Sequence, residues 1–325
     1  MSAGSEENLA LDQIARLIAE NDDFTLIMHV SPDGDTIGSA CALRLALIKL
    51  GKSVQAVCDG TVPHIYRFLS GADSVICPEQ ARFTKAVIAV DCADVGRLGS
   101  AENIFSKAEF TACIDHHGTN PNFAMYNAVV PQAAAAAEIM KRLIERLNVD
   151  FGADIATCLF CGLVTDTGNF AYSNTTPDTL FAAGELLKLG ADNALVNRAV
   201  YRSAPISKRR MLGWGLVKAE FIHGGKMAVC VLTKADFAKF NAHDEDCEGL
   251  IDNLRDVENV EIAMMMREKE PGVYKVSLRA KEYANVCAVA ERYGGGGHRL
   301  AAGCTVTGDM NALKEELIGA LVQAL

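Results

Sequence analysis

The stretch "LIMHVSPDGDTIGS", residues 26–39, decides how the rest of the chain is read. Its short, continuous apolar start reads as a strand buried on both faces, as in a parallel sheet. The run stops at His29, and Asp33 and Asp35 follow on either side of a glycine. "TIGSACALRLALIKLG" then reads as a helix ending at Gly51, with Lys49 in its last turn. Taken alone, Asp35 could serve as the cap of that helix.

Working outward, "SVQAVC", "KAVIAVD" and "FTACID" read as three further short strands separated by helical or loop segments. This alternation predicts an α/β fold with a doubly wound, mainly parallel sheet. Leu9, Ile14, Leu17 and Ile18 fall at helical spacing, which places a helix over 6–20. From residue 132 the pattern turns helical, in "QAAAAAEIMKRLIERLN", "GADIATCLFCGLVTD" and "TPDTLFAAGELLKLG". Alanine is the best helix former, so the pentalanine is read as helix. The polar, basic "NRAVYRSAPISKRR" reads as a linker. Beyond it "MAVCVL", "VEIAMMMRE", "VYKVSLR" and a last helix near 309–325 predict a smaller α/β domain. The expected division is 1–190, a linker over 191–215, and 216–325.

A chain of 325 residues carries a prior of about two domains. Its formal net charge of −10 disfavours a binder of long duplex nucleic acid, yet leaves room for a local basic pocket suited to a short phosphorylated ligand. No apolar run approaches the ~18–20 residues of a membrane span. "MSAGSEENLALDQ" lacks the basic start and apolar centre of an export signal. The expectation is a cytoplasmic protein with no membrane partner, its eleven cysteines reduced and buried as small hydrophobes. The close pair Cys158 and Cys161 has no second pair or histidine cluster nearby, and reads as packing within a helix.

Three strands of the first domain end in the same chemistry. "LIMHV" runs into Asp33 and Asp35, "AVIAV" ends at Asp91, and "TACI" ends at Asp115, His116 and His117. The carboxyl ends of strands in an open parallel sheet line one crevice. Carboxylates gathered there repel one another and are costly to desolvate, and a divalent cation removes both penalties. Each piece has a plainer reading when taken singly. Asp91 can be a turn residue or cap, "DHH" a satisfied polar turn, and Asp166 in "CGLVTDTGNF" a turn at a helix end. Their conjunction predicts a metal site. Oxygen and imidazole donors without thiolate suit Mn²⁺ or Mg²⁺.

"YGGGGHRLAAG" is the second informative element. Four glycines in a row mean either a flexible tip or close approach of another group. Their place before His298 and a small-residue segment favours a nest of backbone N–H groups for a phosphate. The spacing fits neither a dinucleotide fingerprint nor a Walker loop. Arg279 by itself has a plainer reading as a solvated strand-end charge, and His64, His223 and His243 stand alone without a role.

"HVSPDGDTIGS", "AVDCADVGRLG", "CIDHHGTN" and "GLVTDTGNFAYSNTTP", in that order, resemble the four motifs of the DHH phosphoesterase family. "VSLRAKEYANVCAVAERYGGGGHRLAAGC" is similar to the glycine-rich motif of the associated DHHA1 domain. The resemblance spans roughly residues 20–310. It points to the stand-alone bacterial oligoribonuclease and 3′-phosphoadenosine 5′-phosphate (pAp) phosphatase group. It implies a catalytic DHH domain over 1–190, a substrate-binding DHHA1 domain over 216–325, and two Mn²⁺ ions, with Mg²⁺ or Co²⁺ as substitutes.

Carried over by motif, the resemblance has His29, Asp33 and Asp91 hold one ion. Asp35, Asp91, His116 and Asp166 hold the other. Such a pair can activate water and clamp both oxygens of an in-line displacement at phosphorus. Asp115 then orients a metal-liganding histidine, and His117 either touches the scissile phosphate or protonates the leaving oxygen. Arg279, Gly295, Gly296, Gly297 and His298 grip the substrate's terminal phosphate and neighbouring base. The implied substrates are pAp and short RNA oligonucleotides, cut by one domain and held at one end by the other. Cyclic di-AMP or its linear product pApA is the rival substrate class, and a metal-dependent nucleotide sensor without turnover the rival function. A homodimer through the first domain is implied by the resemblance alone.

Overall fold

The structure, a computed structural model, describes residues 3–325. The chain divides into two compact units, Met1–Ser203 and Ala204–Leu325. The first holds β1 (Asp23–Met28), β2 (Ser53–Cys58), β3 (Ala86–Val90), β4 (Phe110–Asp115) and β5 (Tyr126–Val129). They form one parallel sheet in the order β2-β1-β3-β4-β5. The expected mainly parallel α/β fold is therefore present. β5 went unread in the sequence because "YNAV" is too short to show a period.

Strand alternation sends the two faces to different cores. Leu26, Met28, Ile88, Val90 and Ile114 pack beneath the helices Ala3–Glu20, Gly34–Lys49, Ala136–Arg146 and Gly152–Asp166. Ile27, Val57, Val87, Ala89 and Cys113 face a thinner layer made by the 3₁₀ turns Val95–Ala101 and the short helix Glu102–Phe105. The strand order reverses between β1 and β3, the place where an open α/β sheet leaves a crevice at its carboxyl edge.

The stretch expected to be a linker is mostly helical. Asn193–Tyr201 closes the first unit, and Ile206–Lys218 opens the second, where its Met211 is buried. Polar, basic composition concealed two helices that each bury a single side chain, Val196 and Met211.

The second unit has a six-stranded sheet, ordered β10-β11-β9-β8-β7-β6. Its strands are β6 (Glu220–Ile222), β7 (Met227–Leu232), β8 (Ile262–Glu270), β9 (Val273–Ala280), β10 (Gly296–His298) and β11 (Ala301–Thr307). β7 and β8 run parallel, and the other neighbours are antiparallel. All cysteines are free thiols, mostly buried, with Cys158 and Cys161 inside the helix Gly152–Asp166; Cys77 departs from the expectation by being exposed. Among the described residues no helix is long and apolar enough to cross a membrane.

Candidate metal centre

The loops after β1, β3 and β4 meet at the carboxyl edge of the first sheet, together with the end of the helix Gly152–Asp166. His29, Asp33 and Asp91 offer ligand atoms within 4.8 Å of one another, as do Asp35, His116 and Asp166, and Asp91, His116 and His117. Six residues read from distant motifs, and His117 beside them, thus converge in space.

Asp33, not Asp35, caps the helix Gly34–Lys49. Its Oδ1 accepts from the N–H groups of Asp35 at 3.0 Å and Thr36 at 3.1 Å. Its Oδ2 turns to His29 Nε2 at 3.6 Å. Thr36 Oγ1 in turn donates to the Val90 carbonyl at 2.9 Å, which ties the helix start to the end of β3.

Asp35 is wholly buried and serves a different helix. Its carboxylate accepts from Ala136 N–H at 2.6 Å, Ala137 N–H at 2.9 Å and Ser39 Oγ at 3.2 Å. Ala136–Arg146 has no side-chain cap of its own, so Asp35 satisfies its first N–H groups and meets the positive end of its dipole. Two glycines allow the close packing around it. A Cβ on Gly162 would lie 2.6 Å from Asp35 Oδ1 and 2.7 Å from the Ala137 Cβ. One on Gly38 would strike the Cys158 carbonyl.

Asp91 stands between the two halves of the cluster. It is 2 % exposed and adopts a left-handed backbone, φ +58°, a conformation a non-glycine residue holds only when its surroundings impose it. Oδ2 lies 3.6 Å from His29 Nε2, and Oδ1 lies 3.5 Å from His116 Nε2. His116 Nε2 is also 3.2 Å from Asp166 Oδ2. The Asp166 carbonyl is held by Asn174 Nδ2 at 3.1 Å, which also reaches the Ala134 carbonyl at 3.1 Å.

His117 is placed by a buried relay. Asp115 orients this histidine and not the expected liganding one: His117 Nδ1 is 2.7 Å from Asp115 Oδ1, whereas His116 Nδ1 turns to the Ala133 carbonyl at 3.3 Å, and Asp115 Oδ2 accepts from Asn120 Nδ2 at 2.7 Å. Asn120 also donates to the Cys92 carbonyl at 2.9 Å, joining the loops after β3 and β4. Asn120 carries no expected role from the sequence. Its signal, a lone amide three residues beyond the histidines, has no periodicity to mark it.

The electrostatics describe a site short of positive charge. Burial disfavours the charged form of His29, but Asp33 and Asp91 outweigh it and raise the imidazole to about 10. His116 is likewise raised to about 10 against its burial, by Asp166, Asp35 and Asp91. Burial, then the charges of Asp91 and Asp166, pushes Asp35 well above the usual carboxylate range. Asp166 is raised too, by burial and the charge of Asp91, whereas Asp33, against its burial, is lowered by His29 and the helix N–H groups.

Asp91 Oδ1 gives the test of fit for a metal: it is buried and accepts no hydrogen bond. An orphaned carboxylate oxygen between two imidazoles costs free energy in the protein alone and is suited to a hard cation.

The second unit's candidates lie on one face of its sheet. His298, Ala301 and Arg279 are directly opposed across β10, β11 and β9, so their side chains share a face. Arg279 Nε lies 3.4 Å from Asp252 Oδ1. The last two glycines of the run begin the strand β10 rather than forming a loose tip. A Cβ on Gly295 would meet the Gly303 carbonyl, and one on Gly297 the Ala301 carbonyl. The group that approaches these glycines is the chain's own neighbouring strand.

This fold and site define a phosphoesterase of the DHH class. The DHH family, N-terminal domain, matches residues 23–163 and the DHHA1 domain matches 224–325, and the chain belongs to that family. Within it, the chain is 36 % identical over 318 residues to the bifunctional oligoribonuclease and PAP phosphatase NrnA of Thermus thermophilus, covering 95 % of this chain and 94 % of the relative. The protein of the same name from Bacillus subtilis is 24 % identical, with 90 % and 92 % covered. An exopolyphosphatase-related protein from Bacteroides fragilis superposes with a TM-score of 0.88 at 25 % identity, covering 98 % of this chain and 95 % of that one.

Proposed function

We propose that this chain is a metal-dependent phosphoesterase that hydrolyses short oligoribonucleotides and pAp to mononucleotides. The observation that carries the proposal is the buried Asp91, whose Oδ2 faces His29 and whose unsatisfied Oδ1 faces His116, so that one carboxylate joins the two histidine–carboxylate groups. The whole-length similarity to relatives named for these two activities supports the substrate class.

His29, Asp33 and Asp91 would hold one Mn²⁺, and Asp35, Asp91, His116 and Asp166 the other, with Mg²⁺ or Co²⁺ as substitutes. Bound there, the ions supply Lewis-acid activation of water and of the phosphoryl oxygens. Asp33 and Asp35 are held by helix N–H groups, so neither must reorganise when substrate arrives. Asp115 and Asn120 fix His117 through Nδ1 and leave its Nε2 to meet the phosphoryl group or the leaving oxygen. Hydrolysis of pAp breaks the bond from phosphorus to the ribose 3′ oxygen, which takes a proton as water's oxygen joins phosphorus. Arg279, with His298 on the same sheet face and Gly295, Gly296 and Gly297 beside it, would hold the substrate's other phosphate.

A product time course with Mn²⁺ tests the proposal, comparing pAp, RNAs of two to five nucleotides and cyclic di-AMP. Release of phosphate from pAp and of mononucleotides from RNA is expected. Turnover of cyclic di-AMP alone would move the assignment to the cyclic-dinucleotide branch, and ligand binding without any turnover would make the chain a sensor.

A further inference from the structure

Arg97 stands at the edge of the aspartate–histidine cluster and forms an ion pair with none of its carboxylates. Its backbone is fixed from several sides. The Arg97 N–H donates to Asp94 Oδ1 at 3.1 Å, and its carbonyl accepts from Val30 N–H at 2.8 Å. Two residues on, Gly99 turns the chain at φ +58°, where a Cβ would strike the Asp59 carboxylate and lie 2.6 Å from Val30. The loop is thus built to hold this position, while the side chain remains exposed.

The guanidinium Nη2 lies 3.0 Å from His29 Nδ1. That nitrogen is also 2.8 Å from the Val30 carbonyl, an acceptor that requires the proton on Nδ1. In the neutral ring that would bind a cation, this tautomer leaves the lone pair on Nε2, which faces Asp33 and Asp91; in the protonated ring Nδ1 still carries its proton. With Nδ1 protonated, His29 offers Arg97 no acceptor. Among the described residues no carboxylate pairs with it either. A five-donor fork on an immobilised loop therefore sits beside the cluster with its donors unspent.

We infer that Arg97 anchors a phosphoryl oxygen of the substrate on the His29–Asp33–Asp91 side of the cluster. The inference rests on the phosphoesterase reading above and deepens it by naming the group that holds the reacting phosphate. A guanidinium grips two oxygens of one phosphate, and it is blind to the base attached. Its contribution is therefore the same for pAp and for an RNA dinucleotide.

The test combines steady-state kinetics on both substrates with calorimetric titrations of inorganic phosphate and of Mn²⁺, on wild type, Arg97→Ala and Arg97→Lys. Arg97→Ala should raise KM for both substrates, and weaken phosphate binding to the Mn²⁺-loaded protein, by on the order of 10- to 100-fold. Arg97→Lys should recover part of the loss, and Mn²⁺ affinity and Tm should stay at wild-type values. Unchanged KM and phosphate affinity in Arg97→Ala would overturn the inference. So would a parallel loss of Mn²⁺ affinity, which would make Arg97 a support for His29. If wild type turns over neither substrate, the proposed function fails, and the phosphate titration still decides the role of Arg97.

Discussion

Gly162→Ala is expected to disable the enzyme by displacing a carboxylate carried on another helix. The added Cβ would lie 2.6 Å from Asp35 Oδ1, 2.7 Å from the Ala137 Cβ and 3.3 Å from the Asp35 Cα. Relief to ordinary contact requires a shift on the order of 1 Å. None of these neighbours is a flexible chain end, because Asp35 is pinned by Ala136, Ala137 and Ser39. Alanine gains about 1 kcal/mol over glycine in a helix interior, and overpacking costs about 1–3 kcal/mol, so the net is a modest destabilisation of up to about 2 kcal/mol. Activity should suffer far more. A misplacement near 1 Å in a positioned group costs on the order of 100-fold. The assay is kcat/KM for pAp at saturating Mn²⁺, with thermal melts alongside. Gly184→Ala serves as the control, since a Cβ there meets nothing within 4 Å; it should keep wild-type activity and gain about 0.5–1 kcal/mol. Gly162→Ala with activity within twofold of wild type and a raised Tm would refute the reasoning.

Other outcomes follow from the same geometry. Asp35→Ala should abolish hydrolysis while pAp binding, followed by calorimetry, persists; residual turnover near wild type would remove Asp35 from the metal site. Arg279→Ala should raise KM for pAp more than it lowers kcat, and an unchanged KM would remove its anchoring role. Asp236 tests stability away from the site. Its burial is outweighed by hydrogen bonds from Lys218 Nζ at 2.7 Å, Trp214 Nε1 at 2.6 Å and the Thr233 N–H at 2.8 Å, which hold the carboxyl at about 2. A depressed carboxylate stabilises the fold above its unfolded value near 4, and that contribution is lost as pH falls from about 4 towards 2. Urea melts should show Asp236→Asn lacking on the order of 1–2 kcal/mol of this acid sensitivity, after allowance for solvent screening. Identical pH profiles for the two proteins would contradict the assignment.

The sequence by itself determined the elements and the chemistry, because both are written in short local patterns. "SVQAVC", "FTACID" and "MAVCVL" are strands over those same residues, and "GADIATCLFCGLVTD" is one helix from end to end. The acids and imidazoles could be chosen because each cluster directly follows an apolar strand, and the topology of a parallel sheet dictates that such ends share an edge. Local signals failed where the sequence was short, polar or ambiguous. "YNAV" and "GGH" became strands only by pairing with neighbours, and the basic 191–215 stretch became helical by burying a few side chains.

Tertiary structure alone decided which aspartate does what. Asp33 and Asp35 are two residues apart and equivalent as text, yet one caps its own helix and the other caps a helix about a hundred residues away. It likewise gave Gly162, Asn120 and Arg97 their meaning, as a clearance, a relay and a cation at the edge of the cluster. The physical reason is that hydrogen bonds and close contacts act over about 3 Å of space, and the distance along the chain carries no trace of them.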